Sequence, residues 1–183
     1  MNIYAVFLRA VNVSGKNLIK MAELKEIIAQ QGYKYVVTYI QSGNIVLASS
    51  EDPETVSLTI RQLIATHFNL TIDVFVLTEK KLKEVFNQNP FDSALPGNRV
   101  FATFLYTSPH EEAIAAFHAM DLGEEQFKVI ENIVYFYLPE GMANSKLSNN
   151  FIEKKLKVKS TGRNMNTVQK MITLLEGAAL LKN

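Results

Sequence analysis

The sequence predicts an α+β protein built of two similar lobes, and three observations lead there. The chain has 183 residues, which at ~150 residues per domain suits one compact domain or two small, tightly packed lobes. Its first half reads in the order β-α-β-β-α-β. Its second half reads β-α-β-β-α-α, the same order with a helix where the last strand would stand.

Ile3 to Leu8 is apolar and rich in β-formers, which makes it the first strand. A polar loop, Asn12 to Lys20, leads to a helix over Met21 to Gln31. Met21, Leu24, Ile27 and Ile28 share one face of it, and Gly32 is a natural stop. Tyr35 to Ile40 and Ile45 to Ala48 are strands joined by the turn Gln41-Ser42-Gly43-Asn44, whose Gly and Asn accept positive φ. Asp52 caps the second helix and Pro53 occupies its first position. Val56, Ile60, Leu63 and Ile64 form its apolar face. Ile72 to Leu77 is the fourth strand, completing a ferredoxin-like unit.

Thr78 caps a short helix that Asn89-Pro90 ends, because a residue before proline avoids the helical region. Val100 to Tyr106 is the fifth strand. Ser108-Pro109-His110-Glu111 reads as a capping box with Pro at the first helical position, opening a helix to about Met120. Phe127 to Ile130 and Ile133 to Leu138 are strands joined by Glu131-Asn132. Ser145 to Leu156 and Asn164 to Leu181 are the last helices. The division is then 1–88, a βαββαβ lobe with a short linking helix, and 89–183, a degenerate βαββα-like lobe with C-terminal helices.

The first, fifth and seventh strands are apolar on both faces. A lone unit of this kind leaves one sheet face bare, so here something must cover the second face. The third strand carries no aromatic residue, which speaks against single-stranded RNA stacked on an open sheet.

Hydrophobic residues make up 48% of the chain and charged residues 20%, which excludes intrinsic disorder. The absence of cysteine excludes a disulfide scaffold, an Fe–S cluster, a thiolate zinc site and a cysteine nucleophile. The N-terminal strand has no basic leader or cleavage site, and no apolar run approaches the ~18–20 residues of a membrane span. The expectation is a cytoplasmic protein with no membrane partner.

Polar segments interrupt this pattern: Arg9 to Asn17, Gln41 to Asn44, Ser145-Lys146-Leu147 and Thr161 to Thr167. In βαββαβ topology the end of the first strand and the hairpin between the second and third strands lie on one edge of the sheet. Arg9, Asn12, Lys16, Gln41, Ser42 and Asn44 are therefore expected along one rim. An arginine fork, a lysine point charge and glycine backbone N–H groups suit a phosphate or carboxylate. The competing explanation is that these residues cap helices and satisfy turns. Lys146, Arg163, Asn164 and Asn166 join the rim if the second lobe folds over that edge. The net charge of +1 conceals polarity along the chain, with +3 over residues 1–22, −6 over 107–144 and +6 over 145–171. The last stretch includes Lys154, Lys155, Lys157 and Lys159, which could meet phosphates or simply favour a helix C-terminus.

The run Arg9 to Met21, the hairpin Tyr39 to Asn44, the step Ser145-Lys146-Leu147 and Thr161 to Thr167, in that order, resemble domain-of-unknown-function family 1697. The family's pattern for the first loop is Arg-Gly-Ile-Asn-Val-Gly-Gly-Lys-Asn. Ala10 and Ser14 replace glycines of it, and Met165 stands where Trp is usual. A loop needing glycine at position 14 must be adapted here, and one stacking surface is lost. The resemblance implies a bacterial-type cytoplasmic α+β protein and no established activity, cofactor or catalytic residue.

Conventional catalysts are sparse. His67, His110 and His118 lie outside the polar segments, and no metal-ligand spacing joins them, so neither metal nor cofactor is expected. No Gly-x-Ser-x-Gly elbow is present. Ser14-Gly15-Lys16 lacks the spacing of a phosphate loop. The favoured reading is a protein that binds an anionic small molecule or nucleic acid at the rim. An interaction module whose polar motifs are structural, and an enzyme acting on an anionic substrate with Lys16 as its sole local base, are the other readings.

Overall fold

The structure, a computed structural model, describes residues 1–181. Its elements run β1 (Asn2–Leu8), α1 (Met21–Gln30), β2 (Lys34–Tyr39), β3 (Asn44–Ser49), α2 (Pro53–Phe68), β4 (Val74–Thr78), α3 (Glu79–Asn87), β5 (Val100–Leu105), α4 (Glu111–His118), β6 (Gln126–Ile130), β7 (Ile133–Tyr137), α5 (Asn149–Leu156), β8 (Ser160–Asn164) and α6 (Met165–Leu180). Two four-stranded sheets result, ordered β2-β3-β1-β4 and β6-β7-β5-β8. Every neighbouring pair is antiparallel. Each sheet thus places its first strand centrally between its third and fourth, the arrangement of a duplicated ferredoxin-like βαββαβ unit.

The chain divides into two compact units, residues 1–84 with the chain from Lys170 onward, and residues Val85–Gln169. In the first, Tyr4, Val6 and Leu8 of β1 pack with Leu24 and Ile28 of α1 and Val56, Ile60 and Ile64 of α2. Burying one such side chain stabilises by roughly 1.5–3 kcal/mol. The opposite face is buried too, with Ala5, Phe7, Val46 and Ala48 all at 1% exposure or less. The central strands therefore offer no open platform. Asp52 caps α2 as the sequence predicts, its carboxylate accepting from the N–H groups of Glu54 and Thr55. Those donors, with the Thr55 hydroxyl, hold its pKa below the ordinary value. The end of α6 is tied to this unit by Glu176, 2.8 Å from Lys83 of α3, and by the Leu181 carbonyl, which accepts from the Tyr35 hydroxyl. The carboxylates of Glu176 and Glu79 raise the Lys83 pKa.

In the second unit, Phe117 of α4, Val134 and Phe136 of β7, and Ile152 and Leu156 of α5 share a core. Three expectations are corrected here. The second lobe is not degenerate at its end: β8 supplies a fourth strand, pairing Thr103 with Gly162 and Ala102 with Arg163. The capping box does not form, because α4 starts at Glu111 with His110 as its N-cap, while the Ser108 hydroxyl bonds to the Asn132 side chain. The helix read from Ser145 begins instead at Asn149, capped by the Ser148 hydroxyl.

Candidate functional site

The end of β1 is held from both sides. The Leu8 N–H donates to the Gly43 carbonyl at 2.8 Å, and the Arg9 N–H donates to the Asp73 carbonyl at 3.0 Å. This brings the loop after β1 against the β2–β3 hairpin. Gly43, at φ +74°, is required there: a Cβ would come within 2.7 Å of the Leu8 Cβ.

The loop itself is wound tightly. Ala10, Asn12, Ser14 and Asn17 are all left-handed, with φ between 48° and 54°, and Gly15 lies at 73°. Position 14 adopts a left-handed backbone without glycine. Ser14 and Ala10 hold the left-handed backbone that favours glycine. What compensates is a set of asparagine contacts. The Asn12 amide donates to the carbonyls of Ile19 (2.9 Å) and Gln41 (2.7 Å), and its oxygen accepts from the Ile19 N–H. The Asn17 amide donates to the Ala10 carbonyl. The Lys16 N–H closes onto the Val13 carbonyl. Asparagine suits these posts because its short side chain bonds nearby backbone and tolerates positive φ.

Of the rim residues, Asn44 is fully buried and donates to the Tyr39 carbonyl and the Ser42 hydroxyl. Asn12, Ser42 and Asn44 thus build the frame of this edge. Lys16 and Gln41 are exposed on it. The Arg9 guanidinium lies 3.9 Å from the Asp73 carboxylate, both partly exposed. Sequence reasoning missed Asp73, although antiparallel pairing puts the start of the fourth strand beside the end of the first. The loop's winding had no signal beyond the asparagines themselves.

The other four residues belong to the second unit. Arg163 is 8% exposed and donates to the Thr161 hydroxyl and the Gly162 carbonyl. Burial pushes its pKa down to about 10, so it is still charged at neutral pH. The Asn164 side chain accepts from the Thr167 N–H and caps α6. Lys146 and Asn166 are exposed. Lys154, Lys155, Lys157 and Lys159 are exposed as well, and the Lys155 ammonium sits over the Phe151 ring. His67 is in the last turn of α2, and His118 stacks on Phe127. Among the described residues there is no cluster of three or more His, Asp or Glu able to hold a metal ion, and no helix is long and apolar enough to cross a membrane.

Comparison with known proteins bears on the fold and the family. The structure of conserved bacterial protein SP0830 from Streptococcus pneumoniae superposes with a TM-score of 0.73 at 22% identity, covering 95% of this chain and 98% of that one. At that identity the likeness speaks for the fold alone. No functionally curated protein matches the sequence. The model of the family described as protein of unknown function DUF1697 matches residues 1–135. The match spans most of the chain, and the chain belongs to the DUF1697 family.

Proposed function

We propose that this protein binds a phosphorylated or carboxylated ligand at the edge formed by the β1–α1 loop and the β2–β3 hairpin. The observation that carries the reading is the loop from Ala10 to Asn17, which is held in a costly left-handed backbone by the side chains of Asn12 and Asn17. Strained backbone of this kind persists when the surroundings over-determine it, and it gathers at binding sites. Arg9 and Lys16 supply positive charge on this loop, Gln41 supplies an exposed amide, and Asn12, Ser42 and Asn44 hold the frame. Successive backbone N–H groups in such turns can form an anion-binding concavity. The proposal rests on the first unit; the buried Arg163 and the capping Asn164 serve their own unit's structure. Oligonucleotides fall within the same ligand chemistry through their phosphates.

The test is a thermal-melting series with inorganic phosphate, a tricarboxylate and a short oligonucleotide. A ligand that binds the folded chain raises Tm by mass action. At least one should do so, and Lys16→Ala, at an exposed position, should abolish the rise while leaving the unliganded Tm in place. No rise at millimolar concentration with any of the three overturns the reading.

A second reading is favoured by one observation. Val13, Leu18 and Ile40 are 54%, 68% and 51% exposed, and all lie on this loop or hairpin. Apolar side chains so placed suit a protein partner. That reading predicts concentration-dependent association that Leu18→Ser removes, with no response to anions.

A further inference from the structure

The geometry points to a second binding site, in the unit Val85–Gln169, for a neutral planar heterocycle of the nucleobase type. It lies between the loop that follows α3 and the first turn of α6. The cavity there measures about 370 Å³, within the ~300–1,000 Å³ range of small-molecule sites.

Its lining has two components. Phe86, Phe91 and Met165 supply apolar surface. Phe91 is half-buried and its ring packs against Tyr137 with centroids 6.3 Å apart. Asn87, Asn89, Asn166 and Gln169 supply amides. A primary amide presents a donor and an acceptor side by side, which matches the edge of a heterocyclic base, while an aromatic ring or a polarisable thioether packs against its face.

The charge of the cavity selects against the ligands proposed for the β1–α1 loop. Among the described residues, Asp92 is the one ionisable side chain lining it, and one oxygen of that carboxylate already accepts from the Ala94 N–H at 2.8 Å. No lysine or arginine is among the described residues that line it, so a phosphate would meet a carboxylate and none of these cations. A neutral ring with polar edges meets no such penalty.

The site is built on braced backbone. The Gly97 carbonyl accepts from the N–H groups of Met165 and Asn166, which clamps the loop to the start of α6. A Cβ on Gly97 would collide with the Asn166 side-chain oxygen, so glycine is what lets that amide lie where it does. The Asn89 side chain accepts from the Phe91 N–H and sets the backbone from which the Phe91 ring projects.

The experiment is a titration of the isotope-labelled full chain with adenosine, guanosine, cytidine and uridine, each followed by backbone amide NMR shifts. At least one nucleoside should give saturable shifts at Asn87, Phe91, Asn166 and Gln169. Asn166→Leu and Gln169→Ala, both at exposed positions, should keep the wild-type spectrum elsewhere and weaken binding by about tenfold or more. Inorganic phosphate should not displace the nucleoside. Absence of saturable shifts with all four nucleosides at millimolar concentration overturns the proposal. So do shifts confined to Arg9–Asn17, or unchanged affinity in both variants. Because the phosphate response is read at Lys16 and the nucleoside response at Asn166, either site can fail without the other.

Discussion

The Asn12 amide nitrogen lies 2.7 Å from the Gln41 carbonyl oxygen, so one side chain joins the loop after the first strand to a hairpin far along the sequence. The same amide also serves both backbone groups of Ile19. Asn12→Gly keeps the left-handed backbone available and deletes only these bonds. At about 0.5–1.5 kcal/mol for each of these three bonds made within the fold, the variant should lose about 1.5–4.5 kcal/mol in urea unfolding. Stability equal to wild type would show that the clamp contributes nothing.

Ala10 and Ser14 give the opposite prediction. Each holds a left-handed backbone, at φ 53° and 50°, that costs an L-residue roughly 1–2 kcal/mol. Glycine relieves that strain and gives back part of the gain through a freer unfolded chain. Ala10→Gly and Ser14→Gly should each stabilise by about 0.5–1 kcal/mol, raising Tm by about 1–4 °C for a chain of this size. A fall in Tm for both would mean that the strain assigned to this loop is absent.

Thr103 is fully buried on β5, opposite Gly162 of β8, and its hydroxyl has no hydrogen-bond partner. An unpaired buried hydroxyl costs about 1–3 kcal/mol. Thr103→Val keeps the branched shape and removes the orphan, so it should stabilise by about 1 kcal/mol by denaturant melt. A clear loss of stability would indicate that the hydroxyl is satisfied in solution.

Alkaline stability should depend on Tyr33. Burial, aided by the neighbouring Glu51 carboxylate and opposed by a hydrogen bond with Thr59, pushes its pKa from the ordinary 10.0 up to about 12. The folded state therefore holds this proton more tightly than the unfolded chain does. Its contribution is complete below pH 10 and is lost as pH rises from 10 to about 12. Burial raises Tyr135 as well, which adds to the same loss. Denaturant melts across this range should show a shallower decline in Tyr33→Phe than in wild type. Parallel declines would remove Tyr33 from the account.

The elements that sequence made legible are those whose signal is local. Asp52-Pro53 specifies the start of α2 by its own chemistry, and the apolar spacing of Met21, Leu24 and Ile28 places α1 without reference to the rest of the chain. β8 was illegible because its sequence, Ser160 to Asn164, is polar and contains glycine. It is a strand because β5 offers it a pairing edge, and Ser160, Thr161 and Arg163 are buried by tertiary context that overrides propensity. The false capping box at Ser108 failed for a related reason, since Asn132 competes for the hydroxyl. At the loop and hairpin, chain direction sufficed to bring Arg9 to Asn17 near Gln41 to Asn44. It could not divide them into Asn12, Ser42 and Asn44, which spend their polar atoms inward, and Lys16 and Gln41, which do not bury theirs. The amide-lined cavity has no signature in the sequence, because Asn89-Pro90 reads only as the end of a helix at the division between the lobes.

The composition of the first unit has a consequence for synthesis. It needs residues 1–84 and also the chain from Lys170 onward, whereas the second unit is continuous. On a ribosome, where chains emerge N-terminus first at ~5–20 residues per second, the first unit starts earlier and finishes later. For the time it takes to translate the intervening residues, β1 to α3 wait without the end of α6, and the second unit is complete before the first. A nascent chain that has emerged through Gln169 and no further would therefore hold every residue of the second unit and lack the C-terminal part of the first.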